Sequence, residues 1–439
     1  MHKNRLIKEK LRNLKRTIIE FRPEIYDALA KDLNKSINEV EMTEILPTIN
    51  EINLYLRKIN KWSKSEFKIT SASLMFGKTR IEKVSYGKVM IISPWNYPIN
   101  LAFIPLIDAF GSGNTVILKL SERASNTAKV IEKIIEKVFT KEEVSCYTAG
   151  VEKTNELINS DIDFLFFTGS HQIGKIIYQK AAEKMIPCVL ELGGKNPVIV
   201  TQSANLQKAA DEIIFGKVMN AGQTCLAPDH IYVHKSIQNE FEKILKDTYE
   251  NLFISENQAS FQKSNLVDIN ARNRLAKFNL ELEFNNQEDL HHHLKIVHVD
   301  EDSPLMQEEI FAPILPILAY ENLTDLVTQK LIKNDVSLAA YIFTTNRKEF
   351  QFVKNTLQSG TFVQNSMSQF IYNSKLPFGG VKGSGIGRYH GKAGFDTFTY
   401  KRIVFASSST KLLSTAFLNK IMFSSKEHFV IKWFKKFKR

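Results

Sequence analysis

Five short segments stand out as carriers of chemistry, and each also has an ordinary structural explanation. Cys225 closes Asn220-Ala-Gly-Gln-Thr-Cys225. Its thiolate would be a nucleophile toward an electrophilic carbon, yet a solitary cysteine is more often an inert small hydrophobe. Leu190-Glu-Leu-Gly-Gly-Lys195 reads equally as a strand end with a glycine turn and an exposed Glu191. Pro94-Trp-Asn-Tyr-Pro98 is a rigid aromatic turn carrying one side-chain amide, Asn96. Phe167-Thr-Gly-Ser170, with Gly174 four residues beyond, is a weak glycine-loop signal. Glu308-Glu-Ile-Phe-Ala-Pro313 could be a charged turn entering a strand.

The elements that must position these residues follow from apolar periodicity. Residues 5–62 have helical spacing, with Leu6, Leu11, Leu14, Ile18 and Ile19 expected on one side, and Asp32 to Tyr55 continues it. From Lys83 the texture changes. Short apolar runs at 87–93, 116–118, 164–167, 188–190 and 197–200 read as buried strands, with helices expected over 129–139 and 173–184. The second half repeats the texture from Phe215, with strands expected at 230–233, 314–318 and 339–343. Strand–helix alternation of this kind is the signature of a parallel α/β sheet. Neither an internal repeat nor a low-complexity linker interrupts it.

Composition narrows the function. The 439 residues are 43% hydrophobic and 24% charged, as in an ordinary globular chain long enough for two or three domains. No secretory h-region follows the basic start, and no run reaches the ~18 apolar residues of a membrane span. Cys146, Cys188 and Cys225 suggest neither a disulfide framework nor a metal site, so the expectation is a reduced cytoplasmic protein without metal. The run His291-His292-His293 is expected to be a solvated loop. Net charge is +12, but Tyr400–Arg439 holds ten Lys or Arg against Glu427 alone. The other 399 residues carry only +3, which argues against a general polyanion binder and leaves non-specific phosphate attraction to the tail.

Together and in this order, the five segments resemble the aldehyde dehydrogenase superfamily. The closing run Pro377-Phe-Gly-Gly-Val-Lys-Gly-Ser-Gly-Ile-Gly-Arg-Tyr-His-Gly-Lys392, followed by Phe395-Asp-Thr-Phe398, is similar to the class 3 branch. The resemblance covers about Leu6 to Ile403. It implies an α/β aldehyde dehydrogenase-like fold: two parallel α/β domains, one Rossmann-like, and a small β bridging element. The implied boundaries are 1–66 and 86–192 for NAD(P) binding, 67–85 and 396–406 for the bridge, 193–395 for catalysis, and 407–439 for a basic tail. It implies that Cys225 is the nucleophile, that Asn96 supplies an oxyanion donor, and that Glu191 activates the water that hydrolyses a thioester. Lys119 and Glu122 match residues that hold the adenosine ribose, and Gly169, Ser170 and Gly174 match a pyrophosphate loop. Glu309 and Phe311 match residues at the nicotinamide. A carboxylate at Glu122 favours NAD, with NADP as the alternative.

Three departures from the family pattern stand out. Leu120 and Ser121 stand where Pro-Ser is usual, the stretch from Phe253 to Asp302 looks shortened, and Ser366 follows Asn365 where class 3 chains commonly place Asp. The tail adds Val430, Trp433, Phe434 and Phe437 on one helical side, with Lys432, Lys435, Lys436 and Arg439 on the other. A basic helix with an aromatic face suits an anionic membrane surface, or else packs on its own or a neighbouring subunit. The expectation is a homodimer acting on an apolar aldehyde, with peripheral membrane association through residues 425–439. The alternatives are a CoA-acylating relative, against which the retained Glu191 weighs, and a catalytically silent scaffold, against which Cys225, Glu191 and Asn96 weigh together.

Overall fold

The computed structural model describes residues 2–68, 77–254, 262–282, 284, 286, 289–407, 419, 422–425 and 427–436. Two units emerge from the chain's contacts: Met1–Trp62 with Ser85–Thr399, and Ser63–Val84 with Tyr400–Arg439. In chain order the described strands begin with β1 (Glu66–Lys68), β2 (Gly77–Ser85), β3 (Lys88–Ile92), β4 (Thr115–Leu120) and β5 (Val144–Thr148). Next come β6 (Phe164–Gly169), β7 (Cys188–Leu192), β8 (Pro197–Val200), β9 (His230–His234) and β10 (Lys295–His298). The last are β11 (Ile314–Tyr320), β12 (Ser337–Phe343), β13 (Ser359–Gln364), β14 (Gly385–Ile386) and β15 (Thr399–Ser407).

The larger unit holds two six-stranded sheets, ordered β14-β7-β6-β3-β4-β5 and β10-β11-β9-β8-β12-β13. The paired strands run parallel throughout, apart from β14, which runs antiparallel to β7. Central strands such as β3, β8 and β12 are buried almost along their whole length, which is why they read as continuous apolar runs. In the smaller unit, β1, β2 and β15 form a three-stranded sheet. Phe67, Ile403 and Phe405 on it are exposed.

The N-terminal helix His2–Glu20 buries Ile7, Leu11, Leu14 and Ile18, one residue in every three or four. Leu6 and Ile19, expected on that face, lie one position off the stripe and are exposed. The helix Asn100–Gly111 escapes periodicity altogether because it is buried on nearly every side, with Pro105 inside it. Among the described residues no helix is long and apolar enough to cross a membrane. A basic helix spans Phe429–Lys436, with Phe429 exposed and Lys435 paired to Glu427 at 2.5 Å. The expected aromatic face cannot be followed along it. Phe437 and Arg439, and the side chains of Val430, Trp433 and Phe434, lie outside the described residues.

Candidate active site

Four neighbouring strands of the first sheet, β7, β6, β3 and β4, end together. Register aligns Ile92 with both Lys119 and Phe167, and Thr168 with Glu191. Asn96 therefore follows β3, Lys119 and Glu122 end and follow β4, Gly169 and Ser170 follow from β6, and Glu191 sits near the end of β7. Ligands of parallel α/β sheets bind outside these carboxyl ends. Six of the expected residues are thus brought to one edge by strand pairing alone.

Cys225 arrives there from the second sheet's side of the unit, after the helix Leu206–Val218. A tight turn carries Asn220, Ala221 and Gly222 in succession through the left-handed region, at φ 51°, 52° and 71°. Left-handed backbone costs roughly 1–2 kcal/mol at a residue such as Ala221, so other contacts must hold the turn. They are abundant. Asn220 Nδ2 donates to the carbonyls of Asn96 (2.8 Å) and Gln223 (3.1 Å), and Asn96 Nδ2 also donates to Gln223 (3.0 Å). Gln223 Nε2 donates to the carbonyls of Asn220 and Asn265, while its Oε1 accepts from the Val267 N–H. Asn196 Nδ2 donates to the carbonyl of Cys225 itself at 2.7 Å.

A second support lies behind Asn96. Lys35 and Glu44 form a fully buried ion pair at 2.7 Å. Lys35 Nζ also donates to the Asn96 carbonyl at 2.8 Å and lies over the Tyr97 ring. Glu44 Oε2 accepts the N–H groups of Ile99 and Asn100, at the start of the next helix. Asn96 is held through its backbone while its Oδ1 has no partner and Nδ2 keeps a second hydrogen.

Glu191 is buried, and neither carboxylate oxygen has a hydrogen-bond partner. Burial pushes its carboxyl well above the usual range, opposed only weakly by Arg388. Its Oε1 faces Gly379, where an added Cβ would come within 2.8 Å. Burial, then the charges of Glu309 and Glu191, push the Cys225 thiol up to about 12. Glu309 itself is raised to about 8 by burial and then by Asp229. Its carboxylate lies against Gly193, where a Cβ would clash outright. Thiol, base candidate and Glu309 therefore share one low-dielectric space and are all neutralised by it.

The neighbouring segment is clamped. Arg274 donates to the carbonyls of Glu309 and Ile310, and Asp229 accepts the Ile310 N–H at 2.9 Å. Asp229 also binds Lys195, whose Nζ reaches the carbonyls of Leu305 and Glu308. Burial alone would raise Asp229, but Lys195, His230 and Lys217 hold it well below the carboxylate range. Phe311 follows at φ 50°, its ring edge-on to Trp95 at 5.7 Å, and Arg123 lies over the other ring of that pair, Trp95, at 4.6 Å.

The residues expected at the nucleotide lie along the same strand ends. Lys119 is buried with Nζ 3.1 Å from Glu122, a pairing that presents the carboxylate at the crevice edge. Ser170 caps the helix His171–Glu183 by accepting from Ile173, and a Cβ on Gly174 would strike Leu192 at 2.4 Å. That close approach brings helix N–H groups to the strand ends, where they favour a phosphate. The residues present fit a dinucleotide.

The departures acquire physical reasons. Leu120 extends β4 by pairing with Thr148 and is itself buried. Ser366 Oγ donates to Glu212 Oε2 at 3.1 Å, the same oxygen that accepts the Met367 N–H. Asn365, at φ 53°, clips β13 to the Thr344 backbone through both its amide atoms. The histidine run is a loop, as expected, with His293 exposed and His291 and His292 half-buried. His291 and His292 help line a cavity of about 210 Å³, together with Phe215, Met219 and Tyr249, while His293 meets the Tyr249 hydroxyl at 3.2 Å. Among the described residues no His, Cys, Asp or Glu cluster could hold a metal ion.

Comparison with known proteins identifies the family. Residues 5–404 match the model of the aldehyde dehydrogenase family. The chain is 39% identical over 415 residues to the 4,4'-diaponeurosporen-aldehyde dehydrogenase of Staphylococcus aureus, covering 93% of this chain and 90% of that one. It is 35% identical over 400 residues to aldehyde dehydrogenase family 3 member B3 of Mus musculus, covering 90% and 83%. The solved substrate-bound state of Staphylococcus aureus AldH matches with a TM-score of 0.91 at 37% identity, over 99% of this chain and 94% of that one.

Proposed function

The chain belongs to the aldehyde dehydrogenase family and uses a nicotinamide dinucleotide, and from that premise we propose that Cys225 is its nucleophile, Asn96 its oxyanion donor and Glu191 its hydrolytic base. The observation that carries this reading is the meeting of an over-supported thiol turn with a buried carboxylate that has no hydrogen-bond partner. The Cys225 thiol gives its proton to solvent and, as the thiolate, attacks the carbonyl carbon of an aldehyde, giving a thiohemiacetal whose oxyanion accepts a hydrogen bond from the second N–H of Asn96 Nδ2. One preorganised donor of this kind contributes roughly 3–4 kcal/mol. When bound, the nicotinamide supplies the hydride acceptor that converts this adduct to a thioester. Glu191, once it has released its proton to solvent, takes a proton from water, the hydroxide adds to the thioester carbon, and the Cys225 sulfur leaves as the thiolate while the acid is released.

Lys119 and Glu122 are assigned to the adenosine ribose, Gly169, Ser170 and Gly174 to the pyrophosphate, and Glu309 and Phe311 to the nicotinamide end. The Glu122 carboxylate repels a 2′-phosphate, so NAD is the preferred form and NADP the tolerated one. An apolar aldehyde is the proposed substrate, supported by the 4,4'-diaponeurosporen-aldehyde in the name of the Staphylococcus relative. The exposed Phe67, Ile403 and Phe405 of the small sheet support a homodimer formed through it. The basic helix Phe429–Lys436 supports peripheral attachment to an anionic membrane, on its cytoplasmic face.

An aldehyde panel with NAD and NADP, run on wild type and Cys225→Ala, tests the core of this reading. Activity should vanish in the variant, and persistent turnover would refute it. Requirement for CoA would replace hydrolysis with acyl transfer. Deleting residues 425–439 should weaken binding to anionic liposomes while sparing a small water-borne aldehyde; unchanged binding sinks the membrane assignment.

A further inference from the structure

A second pair of buried carboxyls lies away from the thiol, and its hydrogen bonds lead back to Glu191. Glu51, on the helix Leu46–Trp62, and Asp108, the single acid of the largely apolar helix Asn100–Gly111, are fully buried. Each accepts one backbone N–H from consecutive residues: Gly391 donates to Glu51 Oε1 at 2.7 Å, and His390 to Asp108 Oδ2 at 3.1 Å. Holding adjacent amides sets the two carboxyls side by side, and Glu51 Oε2 and Asp108 Oδ1 have no hydrogen-bond donor. Two carboxylates cannot share a hydrogen bond without a proton, and two buried like charges in contact cannot both ionise. Tyr55, Tyr389 and His390 are the other titratable groups facing the pair. Burial raises both tyrosines and lowers the histidine to about 3, so none brings a compensating charge.

The bonded amides close a hairpin. Phe378 and Tyr389 pair as an antiparallel bridge with reciprocal N–H···O bonds of 3.0 and 2.9 Å. Between them run Gly379, which packs on Glu191 Oε1, and β14, where Gly385 pairs with Glu191 and Ile386 with Leu190. Immediately after the bridge, His390 at φ 73° and Gly391 at φ 53° turn the chain through left-handed backbone. For a histidine that turn is strained, and its two amides are the ones the carboxyls hold. A Cβ at Gly394 would collide with Asp108, so the following helix also closes on the pair.

We propose that Glu51 and Asp108 share one proton and in that state act as positioning residues, fixing the Phe378–Tyr389 hairpin against Glu191 for thioester hydrolysis. Losing the shared proton leaves two anions in an apolar pocket; they separate, the amides of His390 and Gly391 lose an acceptor, and the hairpin loosens over Glu191. Glu51, raised by burial to about 7, ionises first and leaves one proton on the pair; burial and the Glu51 charge hold Asp108 well above the carboxylate range, so that last proton is lost only at higher pH. The kinetic half of the proposal rests on Glu191 being the hydrolytic base; the proton-sharing half does not.

Amide exchange in the full-length protein separates them. Protection of His390 and Gly391, corrected for intrinsic exchange, should hold in wild type through about 7, where the pair comes to share one proton, and fall as pH rises further into the alkaline range. It should persist in E51Q, whose amide N–H donates permanently to Asp108, and be lost at every pH in E51A. Rapid-quench kinetics should show E51A forming its acyl-enzyme normally but hydrolysing it up to about a hundredfold more slowly, the scale of a small misplacement, with E51Q recovering most of the rate. Equal pH dependence of protection in wild type and E51Q overturns the shared proton. Normal hydrolysis in a folded E51A overturns the positioning role. An E191Q enzyme that hydrolyses its thioester at the wild-type rate would instead sink the assignment of Glu191, in a different variant and a different readout.

Discussion

Asp229 and Glu191 are both buried carboxylates of the larger unit, and their surroundings could hardly differ more. Asp229 is bonded to Lys195 and to the Ile310 N–H, with His230 beside it, and these partners keep it ionised against the cost of burial. Glu191 has no partner for either oxygen and is driven toward its neutral form. One carboxylate is satisfied and immobilises the 308–311 segment; the other is left free to exchange a proton. The same division separates the Cys225 turn, where nearly every amide and carbonyl is claimed, from the thiol it presents. Rigid support and chemical availability are assigned to different groups, which is how a site can be preorganised without quenching its own reactive atoms.

Substituting each carboxylate by its amide breaks the comparison from opposite sides. Glu191→Gln should cost about 10²–10⁴-fold in turnover, the range for a general base, with acyl-enzyme accumulating in a rapid-quench assay. Its stability should not fall, because an amide is neutral where the carboxyl was held neutral. The pH profile carries the sign. A carboxyl raised on folding contributes stability that is full below its ordinary range and lost as pH rises toward the raised value. Urea melts of wild type should therefore lose stability across that rise, and Glu191→Gln should flatten this component.

Asp229→Asn reverses every term. It strands the Lys195 ammonium in a half-buried site and weakens the hold on the Ile310 N–H, at a cost of about 3–5 kcal/mol in urea unfolding. Because folding lowers this carboxyl, its stabilisation is present above the ordinary range and lost as pH falls, so the variant should flatten the acid limb instead. A folded Asp229→Asn enzyme that matched wild type in stability, or two amide variants with pH slopes of the same sign, would erase the distinction drawn here.

Legibility in the sequence follows the same line. Cys225, Glu191 and Asn96 lie in short motifs whose glycines and prolines mark the strand ends that carry them, so they were readable. Their supports were not. Lys35 and Glu44 are nine residues apart among helical charges, and nothing local says that this pair alone is fully buried. Asp108 did leave a signal, a single acid inside the apolar run Asn100–Gly111, but its partner Glu51 and the amides it holds lie far off in sequence. Strands β5, β10 and β13 escaped notice because edge positions leave them half-exposed and mixed in polarity. The two-residue β14 has no period to read; it exists only because Glu191 and Leu190 offer it a pairing edge.

Ser366 offers the smallest and cleanest test of whether a carboxylate's surroundings decide its role. Its hydroxyl and the Met367 N–H both donate to Glu212 Oε2, so Glu212 belongs with Asp229 among the satisfied carboxylates. Ser366→Asp would place a second carboxylate against that oxygen, trading a donor for a like charge at a partly buried position. The cost should be about 1 kcal/mol at neutral pH, the worth of one hydrogen bond, and should shrink in acid as the introduced carboxyl protonates and donates again. Thermal melts at two pH values read it directly. Adding Glu212→Gln to Ser366→Asp should recover the loss at neutral pH, because the amide can donate to the new carboxylate; failure of that rescue would place the penalty in the backbone near Asn365 instead.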